Sequence, residues 1–181
     1  VILSIGSNQG NRLDNVKHCI ELIHQKIGTV IKVSKIYETP SWGFDSDAFY
    51  NCALVLHTYS SPHKILTQAL KIEKIVGRIR SEDKGYQSRI IDIDLIAFNE
   101  EIIDSEKLQI PHPLMQDRKF VLLPIQDLDL DWKHPVFKKN ISELLEISSD
   151  QSVCEVAETI ENPLQSIALE QFNYVAFEGN I

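Results

Sequence analysis

Ile90-Ile91-Asp92-Ile93-Asp94-Leu95-Ile96-Ala97-Phe98 is the stretch on which the reading of the fold turns. Its β-branched and apolar residues predict a strand, and it closes a series of elements that can be read backwards from it. Upstream, Ser61 as cap and Pro62 in the first turn open a helix through Ile65, Leu66, Ala69, Ile72 and Val76, which Gly77 ends. Tyr50–Thr58 and Thr29–Tyr37 read as two further strands. Before them, Leu13, Val16, Ile20, Ile23 and Ile27 recur at three- and four-residue steps, with Asn11 to cap the helix and Gly28 to stop it. Val1–Ile5 is the first strand.

The order strand, helix, strand, strand, helix, strand predicts an α+β protein with a ferredoxin-like βαββαβ core, a mainly antiparallel sheet and both helices on one face. The opposite face is left for additional segments or a ligand. The long 38–49 and 78–89 loops are available to shape a site there, as loops on a rigid scaffold often do. After Pro124 the pattern weakens: Ile141–Ile147 reads as a short helix, and 148–171 is polar and reads as irregular or helical in part. These are the extra C-terminal elements. The chain divides into a domain over 1–160 and a tail or linker over 161–181.

Composition narrows the function. Of 181 residues 43% are hydrophobic and 24% charged, enough for a sizeable core, and the net charge is −8. An acidic chain lacks the basic footprint that displaces counterions from nucleic-acid phosphates, so no nucleic-acid partner is expected and any phosphate site must be local. No apolar run approaches the roughly 20 residues that span a bilayer, so no membrane partner is expected. Cys19, Cys52 and Cys154 are odd in number and form no CxxC, which suggests neither a disulfide framework nor a zinc site. A reduced, cytoplasmic setting fits.

Three constellations carry chemistry. On a strand, Asp92 and Asp94 project from the same face; two adjacent carboxylates repel and call for a cation, and hard oxygen donors beside phosphates favour Mg²⁺. The plain alternative is a solvated outer face with Ile91, Ile93 and Leu95 buried. Just upstream, Arg78, Arg80, Lys84 and Arg89 put four cations in one loop, and guanidinium forks suit phosphate oxygens. Glu82 and Asp83 interrupt them, so a surface salt-bridge loop is the competing reading. Loop and acids together make a plausible triphosphate clamp, but with no Walker motif. Second, Pro111 and Pro113 fix the backbone around His112, which either donates to a phosphate, assists proton movement or is structural; Arg118 and Phe120 follow. Third, Thr39-Pro40-Ser41-Trp42-Gly43-Phe44 and Phe49-Tyr50-Asn51 combine flat rings with an amide. That set suits a planar heterocycle or, equally, a loop folded back on the core.

The stretches LSIGSNQGNR, YETPSWGF, FYN, GRIR, SRIIDIDLIAF and IPHPLMQDRKFVLLP, in this order, resemble the 6-hydroxymethyl-7,8-dihydropterin pyrophosphokinase family over about residues 1–125. The resemblance implies transfer of the β,γ-diphosphate of ATP to the hydroxymethyl group of 6-hydroxymethyl-7,8-dihydropterin, releasing AMP, in folate biosynthesis. It implies that Asp92 and Asp94 hold two Mg²⁺ ions. It further implies that Glu73, Arg78, Arg80, Arg89, Lys107, His112 and Arg118 serve ATP, with Arg78 and Arg80 also catalytic. Thr39, Pro40, Trp42, Phe49, Asn51, Tyr86 and Phe120 would line the pterin pocket. The chain departs from the family pattern at Tyr86, where a Trp-Gly-Pro run is frequent, at Lys107, often an Arg, and in one extra residue between Arg80 and Arg89.

Two other classes remain open on the residues alone. A nucleotidyltransferase also pairs strand carboxylates with two metals, and a ferredoxin-like module can bind nucleotide without turnover. At the far end, YVAFEGNI (Tyr174–Ile181) resembles the first strand and opening phosphate-loop residues of deoxynucleoside kinases. It raises the expectation of a fused C-terminal kinase domain, against the plainer reading of a tail strand.

Overall fold

The computed structural model describes residues 1–41, 46–79 and 88–160. The expected order is present as β1 (Ile2–Ser7), α1 (Arg12–Lys26), β2 (Thr29–Val33) with β3 (Ile36–Thr39), β4 (Phe49–His57), α2 (Pro62–Val76) and β5 (Asp92–Ala97). The sheet runs β5-β1-β4-β3, with β2 also paired to β4, and each of these pairings is antiparallel. Where the sequence reads as one strand over Thr29–Tyr37, the structure has two. Ser34 bridges the break: its N–H donates to the Ala53 carbonyl (2.9 Å) and its Oγ accepts the Ala53 N–H (2.9 Å). A side chain thus completes the ladder where the backbone departs from it.

Helix limits fall where the caps predict. The Asn11 side chain accepts from the Asp14 N–H (3.3 Å) at the start of α1. Gly77 ends α2 at φ +112°, a conformation glycine adopts without strain. Gly28 stops α1 for a different reason. A Cβ there would lie 2.4 Å from the His57 carbonyl oxygen, so the turn into β2 needs glycine because it presses against the end of β4.

Period-two alternation divides the sheet into two faces. Leu3, Ile5, Cys52, Leu54, Ile93 and Leu95 meet Val16, Ile20, Ile23, Ile65 and Ile72 from α1 and α2, forming the main core. At about 1.5–3 kcal/mol for each buried aliphatic side chain, this layer is the principal stabilising term. Cys19 and Cys52 are wholly buried in it; burial pushes the Cys52 thiol up to about 12 and the Cys19 thiol well above its ordinary range.

On the other face, Ile2, Ala53 and Ile96 are covered by α3 (Lys119–Asp127) and α4 (Ile141–Ile147) through Val121, Leu122, Ile125 and Leu144. The short helix α4 is where the sequence places it, opened by a reciprocal capping box between Asn140 and Glu143. α3 is not announced by the pattern, since Pro124 sits at its sixth residue and withholds one helical N–H. Burial of Val121, Leu122, Pro124 and Ile125 offsets that loss, and Lys32 Nζ donates to the Leu128 carbonyl just beyond its end (2.8 Å). A hairpin of β6 (Ile103–Asp104) and β7 (Gln109–Ile110) follows β5, and a 3₁₀ turn over Met115–Asp117 leads into α3.

The polar segment after 148, expected to be irregular or partly helical, contains a strand instead: β8 (Glu155–Glu158) extends the sheet beyond β3. Its side chains are largely exposed, so it is held by backbone pairing and leaves no apolar alternation to read. The kinase-like segment 174–181 lies outside the described residues.

Leu122 is fully buried between α3 and the sheet. Leu122→Ala should cost about 2–5 kcal/mol in urea unfolding; a loss below about 1 kcal/mol would show that α3 is not a packed part of the core.

Candidate active site

The second sheet face changes character along its length. Near α3 it is apolar, but towards the carboxyl-terminal end of β1 it presents Ser4 and Gly6, flanked by Asn51 of β4 and by Asp92 and Asp94 of β5. Register explains the grouping: Ser4 pairs with Asp94, and Gly6 lies between Asp92 and Asn51. Glycine at position 6 lets the Asn51 amide keep its place, since a Cβ would stand 2.8 Å from Asn51 Oδ1 and 3.5 Å from Phe49. These small residues floor a cavity of about 430 Å³.

The cavity brings together most of the residues the sequence singles out. Thr39, Pro40, Phe49 and Asn51 come from β3, its end and β4 on one flank of β1, Asp92 and Asp94 from β5 on the other, and Arg78, Arg89, His112, Arg118 and Phe120 complete the lining. A second recess of about 250 Å³, lined by Leu66, Ile93, Lys107 and Leu108 among others, meets the first at Asp94, His112 and Pro113. Lys107 therefore belongs to the second recess. Glu73, expected to face a nucleotide, does not line either; it is 2% exposed on the inner side of α2 and accepts from Arg78 (2.7 Å) and from the Ile93 N–H (3.0 Å). Trp42, Arg80 and Tyr86 lie outside the described residues. Ser4, Gly6, Pro113 and Leu114 are lining residues the sequence reading did not select. A small-apolar-small run, Ser4-Ile5-Gly6, on the strand preceding a capped helix was the available signal.

Charge is arranged in a chain. Arg78 pairs with both Glu73 and Asp92, and Arg89 Nη1 donates to the other oxygen of Asp92 at 2.6 Å. Burial opposes the charge on Arg78, but Asp92 and Glu73 outweigh it and hold its pKa above the usual value. Among the described residues the Asp94 carboxylate makes no hydrogen bond or ion pair. Burial first, and then the charge of Asp92, push Asp94 up to about 7, with Arg118 and Arg89 acting against them. In the same lining, burial and the nearby Arg118 push His112 down to about 4. Its Nδ1 accepts the Leu114 N–H (3.2 Å), so the neutral ring carries its proton on Nε2. The backbone N–H of His112 is tied to the Ile96 carbonyl (2.9 Å), which fixes the ring beside β5. Arg118, itself buried, lies 5.7 Å over the Phe120 ring at the start of α3.

On the aromatic side, Asn51 Nδ2 donates to Thr39 Oγ1 (2.7 Å), which leaves the threonine proton as a donor. No cluster of three or more acid, histidine or cysteine ligands occurs among the described residues. The donor set is a pair of carboxylates. That fits Mg²⁺, which takes one or two carboxylates and completes its shell with phosphate and water, and it does not fit a metal that needs an all-protein cage.

The family profile described as 7,8-dihydro-6-hydroxymethylpterin-pyrophosphokinase matches residues 2–130. A 2-amino-4-hydroxy-6-hydroxymethyldihydropteridine pyrophosphokinase of Aquifex aeolicus is 33% identical over 79% of this chain and 88% of its own length. The same-named protein of Porphyromonas gingivalis is 36% identical over 75% of this chain and 93% of its own. The Folic acid synthesis protein fol1 of Pneumocystis carinii is 38% identical over 84% of this chain, which spans only 20% of that longer protein. A Plasmodium falciparum HPPK-DHPS crystal structure shares the fold, with TM-score 0.66 at 18% identity over 80% of this chain and 44% of the other.

The two displaced pKa values act oppositely on stability. The folded state holds a proton on Asp94 that the unfolded chain loses near 3.8, so that contribution is full below about pH 4 and is lost as pH rises through 7. His112, held down to about 4 from 6.5, contributes fully above 6.5 and loses its contribution as pH falls through 4. Wild-type protein should therefore show a shallow profile in this window without divalent metal. Asp94→Asn removes one arm, so its Tm relative to wild type should rise steadily from pH 4 to pH 7.5. A Tm difference that does not change with pH would contradict the assignment.

Proposed function

The chain belongs to the 7,8-dihydro-6-hydroxymethylpterin-pyrophosphokinase family, and we propose that its site moves the β,γ-diphosphate of ATP onto the hydroxymethyl group of 6-hydroxymethyl-7,8-dihydropterin, releasing AMP, in folate biosynthesis. The observation that carries this reading is the meeting of two recesses at Asp94 and His112, with Asp92 beside them in the first recess. A transfer between two substrates needs two adjoining subsites with the charge-handling groups at the junction.

The pterin takes the first recess. Phe49 and Phe120 offer apolar faces to a flat ring, while the Thr39 hydroxyl, the Asn51 amide oxygen and backbone groups at Pro40 meet its polar edge. Trp42 and Tyr86 are assigned to the same substrate. ATP takes the second recess, with Leu66, Ile93 and Leu108 against the base and Lys107 near the ribose and phosphates. Arg78, Arg80, Arg89 and Arg118 neutralise phosphate oxygens. Glu73 acts on the nucleotide through Arg78, whose guanidinium it orients from beneath.

His112 serves as a neutral donor through Nε2 at physiological pH rather than as an acid or base, because its pKa is held far below 7. Asp92 and Asp94 would hold two Mg²⁺ ions, which supply neutralisation of the phosphate charge and alignment of the reacting oxygens. The protein's own contribution is orientation of both substrates and a ring of fixed positive charge where negative charge moves. No helix among the described residues is long and apolar enough to cross a membrane, and all three cysteines are free, in keeping with a cytoplasmic reaction.

Incubation with ATP, Mg²⁺ and the hydroxymethyl-dihydropterin should yield AMP and diphosphorylated pterin in equal amounts. ADP would indicate an ordinary kinase, and pyrophosphate with an adenylylated pterin would indicate a nucleotidyltransferase; either sinks the proposal. Chelation with EDTA should abolish turnover and excess Mg²⁺ restore it.

Asp94→Ala should lower kcat by about 10³-fold while leaving the urea midpoint near that of wild type, because the carboxylate faces the cavity and not the apolar core. Intact activity with a large stability loss would assign Asp94 to structure instead.

A further inference from the structure

The GSNQGNR segment between β1 and α1 lies outside both recesses, with Gly6 its one lining residue, yet it is wired to the walls of the cavity on two sides. Asn8 is 2% exposed and does not line the cavity. Its Nδ2 faces three acceptors: Ser46 Oγ (3.1 Å), the Asp47 carbonyl (3.2 Å) and Ser88 Oγ (3.2 Å). Its Oδ1 accepts the Arg89 N–H at 2.7 Å, and its own N–H donates to the Arg89 carbonyl (3.1 Å). One amide thus holds Ser46–Asp47, which lead directly into Phe49 and Asn51, and Ser88–Arg89, which lead into Asp92.

Neighbouring residues reinforce each arm separately. Ser7 Oγ donates to the Ile90 carbonyl (2.6 Å). Arg12 Nη1 donates to Glu38 Oε1 (2.9 Å) and to the Ala48 carbonyl (2.7 Å), and its guanidinium lies 3.9 Å over the Tyr50 ring. Asn8 bonds to both arms through one side chain, beside the β1 backbone, whose Gly6 pairs with Asn51 and with Asp92. The amide's partners are 38 to 81 residues away in sequence, so no local chain stiffness keeps the two walls together. A buried, fully engaged amide in that position fixes the spacing between the aromatic wall and the arginine–carboxylate wall, which is the distance a two-substrate transfer depends on.

We infer that Asn8 is a positioning residue that sets the aromatic wall of the cavity against its arginine-bearing wall, with its amide nitrogen the side-chain link to the first and its amide oxygen the link to the Arg89 N–H of the second, to which the nitrogen adds Ser88 Oγ. This rests on the diphosphate-transfer reading above for its kinetic consequences, but not for its structural ones. The chemistry of the amide makes the two halves separable. Asn8→Asp keeps an oxygen for the Arg89 N–H but sets a carboxylate against the Asp47 carbonyl, whereas Asn8→Ala removes both side-chain tethers and leaves only the backbone bond to the Arg89 carbonyl.

With both variants folded at a Tm close to wild type, Asn8→Asp should raise the KM for the pterin about tenfold while leaving the KM for ATP within about twofold. Asn8→Ala should in addition lower kcat by about 10²-fold. Hydrogen exchange supplies a readout independent of turnover: the Arg89 amide should remain protected in wild type and Asn8→Asp and lose protection in Asn8→Ala. Wild type that makes no product while the Arg89 amide responds in this way would leave the tether standing and overturn the enzymatic reading. The inference about Asn8 is overturned by an unchanged pterin KM in Asn8→Asp, by an Arg89 amide equally protected in Asn8→Ala, or by unfolding of both variants, which would make Asn8 a general structural staple.

Discussion

Two carboxylates on one face of one strand repel each other, and the surroundings of Asp92 and Asp94 are organised by that fact. Asp92 is shared between Arg78 and Arg89, and Arg78 is in turn steadied by the buried Glu73. Asp94 receives no such partner among the described residues and rises towards neutrality. The pair is therefore unequal. One acid is compensated by two guanidiniums, and the other carries its proton up to about pH 7.

The same sheet face serves as core at one end and as site at the other, and the change occurs within three residues of each strand. On β4, Ala53 is packed under α3 while Asn51 borders the cavity; on β5, Ile96 is packed while Asp94 is open to it. The two uses are physically linked, because α3 begins at Arg118 and Phe120 inside the cavity and continues into the apolar layer with Leu122 and Ile125. Precise placement of a charged side chain thus derives from burial a turn away. That arrangement meets the requirement that a site be held by rigid elements rather than by its own weak contacts.

Much of this was legible in the sequence, and what was not has identifiable causes. The helices α1 and α2 show because their caps and apolar stripes are local, and Asp92 and Asp94 show because alternation on a strand fixes their shared face. The helix α3 is hidden by Pro124, whose cost is met by packing that a local pattern cannot reveal. β8 is hidden because it is paired through its backbone while its side chains stay in water. The division of β2 from β3 depends on one hydroxyl, Ser34, acting across the sheet. Glu73 carried a second signal: an acid next to Ile72 on an apolar stripe must have a buried partner, and the Arg78 guanidinium and the Ile93 N–H are such partners. Asn8, with partners drawn from segments far along the chain, has no sequence signature apart from its place in a turn. Membership of the family, by contrast, was readable from motif order alone.

The burial of Cys19 and Cys52 has a practical side. Both thiols lie wholly inside the main core and are held in the protonated, poorly nucleophilic form. Cys154 is half-buried, one residue before the edge strand β8. Thiol chemistry under native conditions is thereby directed towards Cys154 on the sheet rim, which does not line the cavity and whose thiol partial burial also raises, though it is less buried than the other two. A spectroscopic probe or a surface tether can be attached there to the natural sequence, with no cysteine removed beforehand and the catalytic machinery left untouched.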